Sequence, residues 1–145
     1  MMSIEQNKTV LRRVFAALND RDLDNVVTLY SPDCCFHGWG PETLDVAGYK
    51  AAMTAVLDAF PDSHFEPGDF IAEGDRVVVP HSLKGTHQAE FQGIPATGRS
   101  IAIDAVLVAR LENGRAAELW LNADLLGLMQ QLGAIPTATV HQEKS

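Results

Sequence analysis

Cysteine and basic residues are scarce in this 145-residue chain, and each scarcity excludes a class of protein. The two cysteines, Cys34 and Cys35, are neighbours, so they cannot build a disulfide framework and they lack the spacing of a zinc site. We expect both to be small core residues on a short strand. Only 11 Lys and Arg residues face 19 Asp and Glu, for a formal charge of −8, which argues against a nucleic-acid partner.

Long apolar runs are missing as well. No stretch approaches the roughly 20 apolar residues that cross a bilayer, and the N-terminus lacks the basic-then-apolar pattern of a secretory signal. We therefore expect a cytoplasmic protein with no membrane partner. Hydrophobic residues still make up 46% of the chain, enough to bury a core without the support of disulfide bonds or structural metal ions. This predicts a single domain over residues 1–145, with an ordered core from about 3 to 135 and a frayed tail from Pro136.

The first sixty residues have helical periodicity and predict three helices. Each begins at a polar residue that can cap the first turn, and the first start has the pattern of a capping box between Ser3 and Gln6. The predicted caps are Ser3, Asp22 and Asp45, and the predicted ends are residue 19, Ser31-Pro32 and Pro61. A short strand over residues 34–37 is predicted between the second and third helices.

From residue 64 the hydrophobic period changes to that of strands, which predicts an antiparallel sheet. The candidate strands cover about 64–73, 76–87, 99–112 and 115–123. Gly74-Asp75 closes one hairpin, and Asn113-Gly114 is a strong signal for a type I′ turn in the next. Asp124 then precedes a short final helix that Gly133 ends. The fold class is therefore α+β, with three helices before the sheet and one after it.

The turn at Asn113-Gly114 predicts which side chains share a sheet face. If Glu112 faces Arg115, counting back puts four pairs on one surface: Ala109 with Glu118, Leu107 with Trp120, Ala105 with Asn122, and Ile103 with Asp124. Carboxylates, an indole and an amide among apolar neighbours are typical of a pocket wall. A carboxylate in such surroundings has a raised pKa, which suits proton transfer near neutral pH.

Each of these side chains also has an ordinary interpretation. Asp124 could be only the N-cap of the last helix. Glu118 could be a solvated strand carboxylate paired with a Lys or Arg, and Trp120 could be a core residue, although its ring would also serve as an aromatic pocket wall.

Histidines supply the other candidate polar groups. Counting back from Gly74-Asp75 places His81 on the pocket face, and continued alternation adds His87; either could instead be a hydrogen-bonded structural residue. His37 and Trp39 flank Gly38 near the expected rim, as packing or substrate contacts. None of the five histidines has H-x-x-x-H or H-x-H spacing, so we predict no metal.

The opposite face of the same strands is predicted to be largely apolar. Val106, Val108, Leu119 and Leu121 fall on it by the same counting. Three helices can cover only one face of the sheet, so this pattern predicts a homodimer or higher homo-oligomer that buries the other.

Several runs of this sequence resemble the SnoaL-like polyketide cyclases over residues 7–135. The most specific are Gly85-Thr86-His87 and Glu90-Phe91-Gln92-Gly93-Ile94-Pro95-Ala96-Thr97-Gly98-Arg99, similar to the family's G-T-H and E-F-x-G-I-P-x-T-G-R. Further matches are Phe36-His37-Gly38, Phe60-Pro61-Asp62, Glu118-x-Trp120, and Asp124-x-Leu126-Gly127-Leu128 with Gln131-Leu132-Gly133.

The resemblance implies a nuclear-transport-factor-2-like fold, in which a bent antiparallel sheet and helices form a cone around a cavity. It also implies cofactor-free closure of a polyketide ring, with an aspartate at the position of Asp124 removing a proton and returning it. His87 and Asn122 would then hydrogen-bond the oxygens that gain charge. The substrate is expected to be a small hydrophobic molecule. Its other candidate contacts are Phe36, His37, Trp39, His81, Leu107, Glu118 and Trp120.

The chain departs from the resemblance at two places. Many relatives carry Arg and Trp where this sequence has Pro80 and His81, and often a tryptophan where it has Ala123. These changes alter the pocket lining, so the resemblance does not by itself assign an anthracycline-type substrate. An isomerase or epoxide hydrolase on the same fold, and a ligand-binding module without catalysis, stay open as alternatives; the hydrolase needs an Asp-Arg-Asp set, and the predicted face has no arginine.

Overall fold

The computed structural model describes residues 3–135, which form four helices and six strands. The predicted frayed tail from Pro136 lies outside these residues. The helices are α1 (Ile4–Asn19), α2 (Leu23–Thr28), α3 (Val46–Ala59) and α4 (Leu125–Gln131). The strands are β1 (Tyr30–His37), β2 (His64–Pro67), β3 (Ile71–Glu73), β4 (Arg76–Thr86), β5 (Ser100–Glu112) and β6 (Arg115–Ala123).

Polar side chains cap all four helices where the sequence predicted them. Ser3 and Gln6 form the reciprocal capping box of α1, while Asp22 and Asp45 accept from backbone N–H groups at the starts of α2 and α3. The predicted end of α2 was wrong. The helix ends at Thr28, and Tyr30 already belongs to β1, so the chain leaves the helix before the Ser31-Pro32 step that we expected to end it.

The sheet is mixed rather than antiparallel, which corrects the prediction. Its order is β1-β6-β5-β4-β2, with β3 also paired to β4, and β1 runs parallel to β6. No hairpin joins β1 to β6, so local turn signals carried no information about their relative direction. The strand predicted over 64–73 is also two short strands, because the chain leaves the ladder after Pro67 and Gly68 N–H bonds to the Pro80 carbonyl instead.

A β-bulge at Ala117 sets the faces of β6. The turn itself is as predicted, since Asn113 and Gly114 have φ of 52° and 82° and Glu112 pairs with Arg115. Leu111 then pairs with Ala116 but Arg110 pairs with Glu118, which leaves Ala117 as an extra residue. Because side chains alternate along a strand, this one-residue step reverses every later face assignment.

The helices and the sheet enclose the core between them. Along β5 the odd-numbered residues from Ile101 to Leu111 are buried, which defines an inner face, while the even-numbered residues are exposed or partly exposed on an outer face. α1 packs against β2, β3 and β4, and α3 packs against β1. α4 lies against β5, where Leu128 and Leu132 join a second apolar cluster with Phe60 and Phe91.

Candidate functional site

An internal cavity of about 280 Å³ lies between the helices and the inner face of the sheet. Phe15 of α1 and Met53 of α3 form part of its helical wall, and Leu107 and Leu119 form part of its sheet wall. Most of the lining is apolar. Such a cavity favours a hydrophobic small molecule, with the few polar groups on the wall fixing its orientation.

His81 is one of these polar groups. Its Nδ1–H donates to the Val79 carbonyl at 3.0 Å, which leaves Nε2 as a hydrogen-bond acceptor, and its ring packs edge-on against Phe15 at 5.0 Å. Burial lowers the pKa of His81, and the hydrogen bond to Val79 only partly opposes this. His81 is therefore neutral at pH 7, and it lies on the cavity wall.

Two tyrosines form the second polar feature of the wall. Tyr30, at the start of β1, and Tyr49, in the first turn of α3, are 3% and 2% exposed and their hydroxyls lie 2.9 Å apart. Neither residue was predicted as a site residue, because an inward tyrosine in an amphipathic pattern carries no signal that distinguishes packing from binding.

Trp39 reaches the cavity because of Gly38. Gly38 has φ of 102° and lies so close to the Leu121 carbonyl oxygen that any side chain would collide with it. Trp39 then lines the cavity and packs edge-on against Phe36 and Tyr49. Phe36 is fully buried behind this wall, so of the two predicted contacts Phe36 and Trp39 it is Trp39 that lines the cavity.

Asp124 lies at the edge of the cavity. Ala123 and Leu125 on either side of it line the cavity, whereas Asp124 itself is exposed to solvent. Its Oδ1 accepts from Gly127 N–H at 2.8 Å and caps α4, and its Oδ2 has no protein hydrogen-bond partner within residues 3–135. The N-cap interpretation is thus correct, and the expected enclosure by apolar groups is wrong.

His87 is buried beside the cavity rather than on its wall. Thr97 N–H donates to its Nδ1 at 3.2 Å, so the ring proton of the neutral form is on Nε2. That Nε2 is buried and has no partner among the described residues, and the ring packs against Phe60 at 5.4 Å. His87 is therefore arranged as a hydrogen-bond donor and not as a base.

The bulge turns Glu118, Trp120 and Asn122 to the outer face, away from the cavity. The pocket wall predicted from them is therefore wrong in register. His37 Nε2 lies 2.7 Å from Glu118 Oε2, and its ring stacks on Trp120 at 5.5 Å. The hydrogen bond from His37, assisted by Arg110 at 3.5 Å, holds the pKa of Glu118 below its ordinary value.

The bulge also changes the argument for oligomers. Leu119 and Leu121, which we predicted on an apolar outer face, line the cavity instead. The outer face carries Val106 and Val108 among charged and polar side chains. A homo-oligomer stays a prediction, but the apolar pattern that motivated it is not present.

Within residues 3–135, no group of three or more His, Cys, Asp or Glu side chains is placed to hold a metal ion. No helix in the same range is long and apolar enough to cross a membrane. Cys34 is buried and Cys35 exposed, and burial raises the pKa of the Cys34 thiol to about 12, so at neutral pH it is a protonated core residue.

Solved structures with similar folds span almost the entire chain. AclR, a proposed hydroxylase from Streptomyces galilaeus, superposes with a TM-score of 0.86 at 30% identity and covers 92% of this chain and 100% of its own. IdmH, a proposed polyketide cyclase from Streptomyces antibioticus, has a TM-score of 0.78 at 28% identity, covering 88% and 99%. These neighbours confirm the nuclear-transport-factor-2-like fold.

Sequence comparison identifies the family. Aklanonic acid methyl ester cyclase DnrD from Streptomyces peucetius is 28% identical over 130 residues, covering 86% of this chain and 88% of that protein. The sequence model of the SnoaL-like polyketide cyclases matches residues 8–132. The chain therefore belongs to the SnoaL-like polyketide cyclase family.

Proposed function

We propose that this protein catalyses a cofactor-free ring closure, or a related proton transfer, on a hydrophobic carbonyl compound bound in the inner cavity. The observation that carries the proposal is the largely apolar cavity of about 280 Å³ between the helices and the sheet, in a member of a cyclase family. A carbon between two carbonyl groups is acidic enough for a side-chain base, so this chemistry needs no metal or nucleotide.

In the proposed reaction, a base removes a proton from the activated carbon. The resulting carbanion attacks a ketone carbon of the same molecule, a carbon–carbon bond forms, and the ketone oxygen becomes an alkoxide. The protonated base returns the proton to that alkoxide, so the base is regenerated and no atoms are lost. The product is an isomer of the substrate.

Asp124 is the proposed base. The family resemblance assigns it this role, and its Oδ2 is not used by the cap of α4. Its two neighbours Ala123 and Leu125 line the cavity, and we propose that a change of side-chain torsion turns the free oxygen of Asp124 toward a bound substrate. The buried Nε2–H of His87 has no partner within residues 3–135 but lies off the cavity wall, so its contact with an oxygen that gains charge stays a prediction.

His81 is the competing candidate for the base. It already lines the cavity with Nε2 free to accept a proton, whereas Asp124 is exposed. The two assignments differ in which substitution stops the reaction, one at Asp124 or one at His81, so the two variants test them separately.

The test uses aklanonic acid methyl ester, the compound named for the relative DnrD, with chromatography and mass spectrometry to detect an isomeric product. We expect Asp124→Asn to lower kcat by about 100-fold or more, because that is the usual contribution of a positioned base. Asparagine caps a helix as well as aspartate does, so thermal stability should stay within about 0.5 kcal/mol of wild type. His81→Gln is the matched variant and should keep more than about a tenth of the rate.

Two results would contradict parts of this proposal. Full activity of Asp124→Asn combined with an inactive, folded His81→Gln would transfer the role of base to His81. Absence of turnover, with the ester bound tightly by wild type and both variants, would support the alternative of a ligand-binding module. That alternative is favoured by one observation, the solvent exposure of Asp124.

A further inference from the structure

The Tyr30–Tyr49 pair is a polar element in the cavity wall that the proposed chemistry has not yet used. Both hydroxyls are buried, and both residues line the cavity. We propose that the Tyr49 hydroxyl is the hydrogen-bond donor that binds the carbonyl or enolate oxygen of a flat aromatic ketone, with Tyr30 orienting it. This inference rests on the proposed function, since it names the group that binds the reacting oxygen.

A count of donors and acceptors is the first step of the argument. Each phenol has one proton to donate, so two phenols that share one hydrogen bond always have one proton left over. Tyr30 donates to Tyr49 at 2.9 Å, which places the remaining proton on Tyr49. That proton has no protein acceptor within residues 3–135, and an unused donor in an apolar cavity is unfavourable until a ligand supplies an oxygen.

The surrounding rings hold Tyr49 in place. Phe36 stacks on its ring at 4.4 Å with an interplanar angle of 17°, and Trp39 packs edge-on at 5.4 Å. Tyr30 meets the same ring edge-on at 5.1 Å. A donor whose direction is fixed before the ligand arrives stabilises developing negative charge without reorganisation, which is what an enolate or alkoxide oxygen requires.

Both phenols stay protonated at neutral pH. Burial raises the pKa of Tyr30 and of Tyr49, and the hydrogen bond from Tyr30 partly opposes this for Tyr49 alone. Because Tyr49 accepts this hydrogen bond, it is the more acidic member of the pair and the stronger donor. Tyr30 acts through Tyr49 and is a positioning residue.

The experiment compares two probes of the same shape, 2-acetylnaphthalene, which has a carbonyl oxygen, and 2-ethylnaphthalene, which does not. We expect Tyr49→Phe to weaken binding of the ketone by about 5- to 30-fold, the effect of one buried hydrogen bond, and to change binding of the hydrocarbon by less than about twofold. Tyr30→Phe should weaken ketone binding by less than Tyr49→Phe, because the Tyr49 proton is still present.

A spectroscopic readout reports the hydrogen bond to the bound ketone directly. The carbonyl stretch of 2-acetylnaphthalene bound to wild type should lie at lower frequency than in hexane, and should return toward the hexane value in Tyr49→Phe. Removing Tyr30 should reduce the shift, which a merely structural role would not do. A stretch in wild type equal to that in hexane, equal ketone affinity of wild type and Tyr49→Phe, or no binding of the ketone by wild type would each overturn the inference.

Binding and turnover separate this inference from the proposed function. A Tyr49-dependent carbonyl shift without any turnover would support the oxygen-binding role while the proposed reaction fails. Turnover that is unaffected by Tyr49→Phe would support the proposed reaction and contradict the oxygen-binding role of Tyr49.

Discussion

The two faces of the β5–β6 hairpin have opposite chemistry although their residues alternate along the same strands. The inner face carries Leu107, Leu119 and Leu121 and encloses a largely apolar cavity. The outer face carries Trp120 and Glu118, joined to neighbours through stacking and ion pairs. Residues adjacent in sequence therefore belong to two different sites, and one extra residue at Ala117 decides which is which.

The register of β6 also explains why the predicted pocket wall is wrong. Polar residues on β6 suggest a pocket wall only if they face inward, and a regular hairpin from Asn113-Gly114 would place them there. The observed cavity instead has Tyr30, Tyr49 and His81 among its polar groups, and these come from β1, α3 and β4. The site is assembled from distant parts of the chain.

A change in the register of β6 should have the largest effect on the separation of the two faces. An alanine inserted after Glu118 should turn Trp120 and Asn122 inward and Leu119 outward, and we expect it to cost more than about 4 kcal/mol, since polar groups enter the core. Deleting Ala117, the unpaired residue, keeps every face and should cost less than half as much. Urea unfolding measures both; equal losses, or a larger loss for the deletion, would show that Ala117 does not set the register.

A smaller effect is expected from the ion pair on the outer face. The pKa of Glu118 is held below its ordinary value of 4.5, so the unfolded chain binds more protons near that pH. The stabilisation is thus fully present above about pH 4.5 and is lost as the pH falls through the lower folded pKa.

Urea unfolding of wild type and Glu118→Gln at pH 5 and pH 3 tests the direction of this pH dependence. The stability difference should be under about 1 kcal/mol, because both side chains are partly exposed, and it should shrink at pH 3. Turnover and binding of the cavity ligand should be unchanged. A loss of ligand binding in this variant would link the outer face to the site and contradict the separation of the faces.

Local signals in the sequence predicted much of the fold. The caps at Ser3, Asp22 and Asp45 and the turn at Asn113-Gly114 depend on a few neighbouring residues, and all are confirmed. The family resemblance supplied the cavity and its enclosure by helices.

Other features depend on contacts that no local pattern contains. Ala116-Ala117 has no glycine or other residue typical of a bulge, so the register error could not be seen. The parallel pairing of β1 with β6 joins segments about eighty residues apart, for example His37 with Trp120. The hydrogen bond between Tyr30 and Tyr49 likewise requires the packing of α3 on β1.

The two tryptophans offer the most direct test of the claim that ligands bind at the inner face. Trp39 lines the cavity and Trp120 lies on the outer face, so the two indole N–H resonances report one face each. In a ¹H–¹⁵N titration with 2-acetylnaphthalene, assigned with Trp120→Phe, the Trp39 resonance should shift to saturation while that of Trp120 stays in place. A shift of Trp120 with Trp39 unchanged would contradict the account.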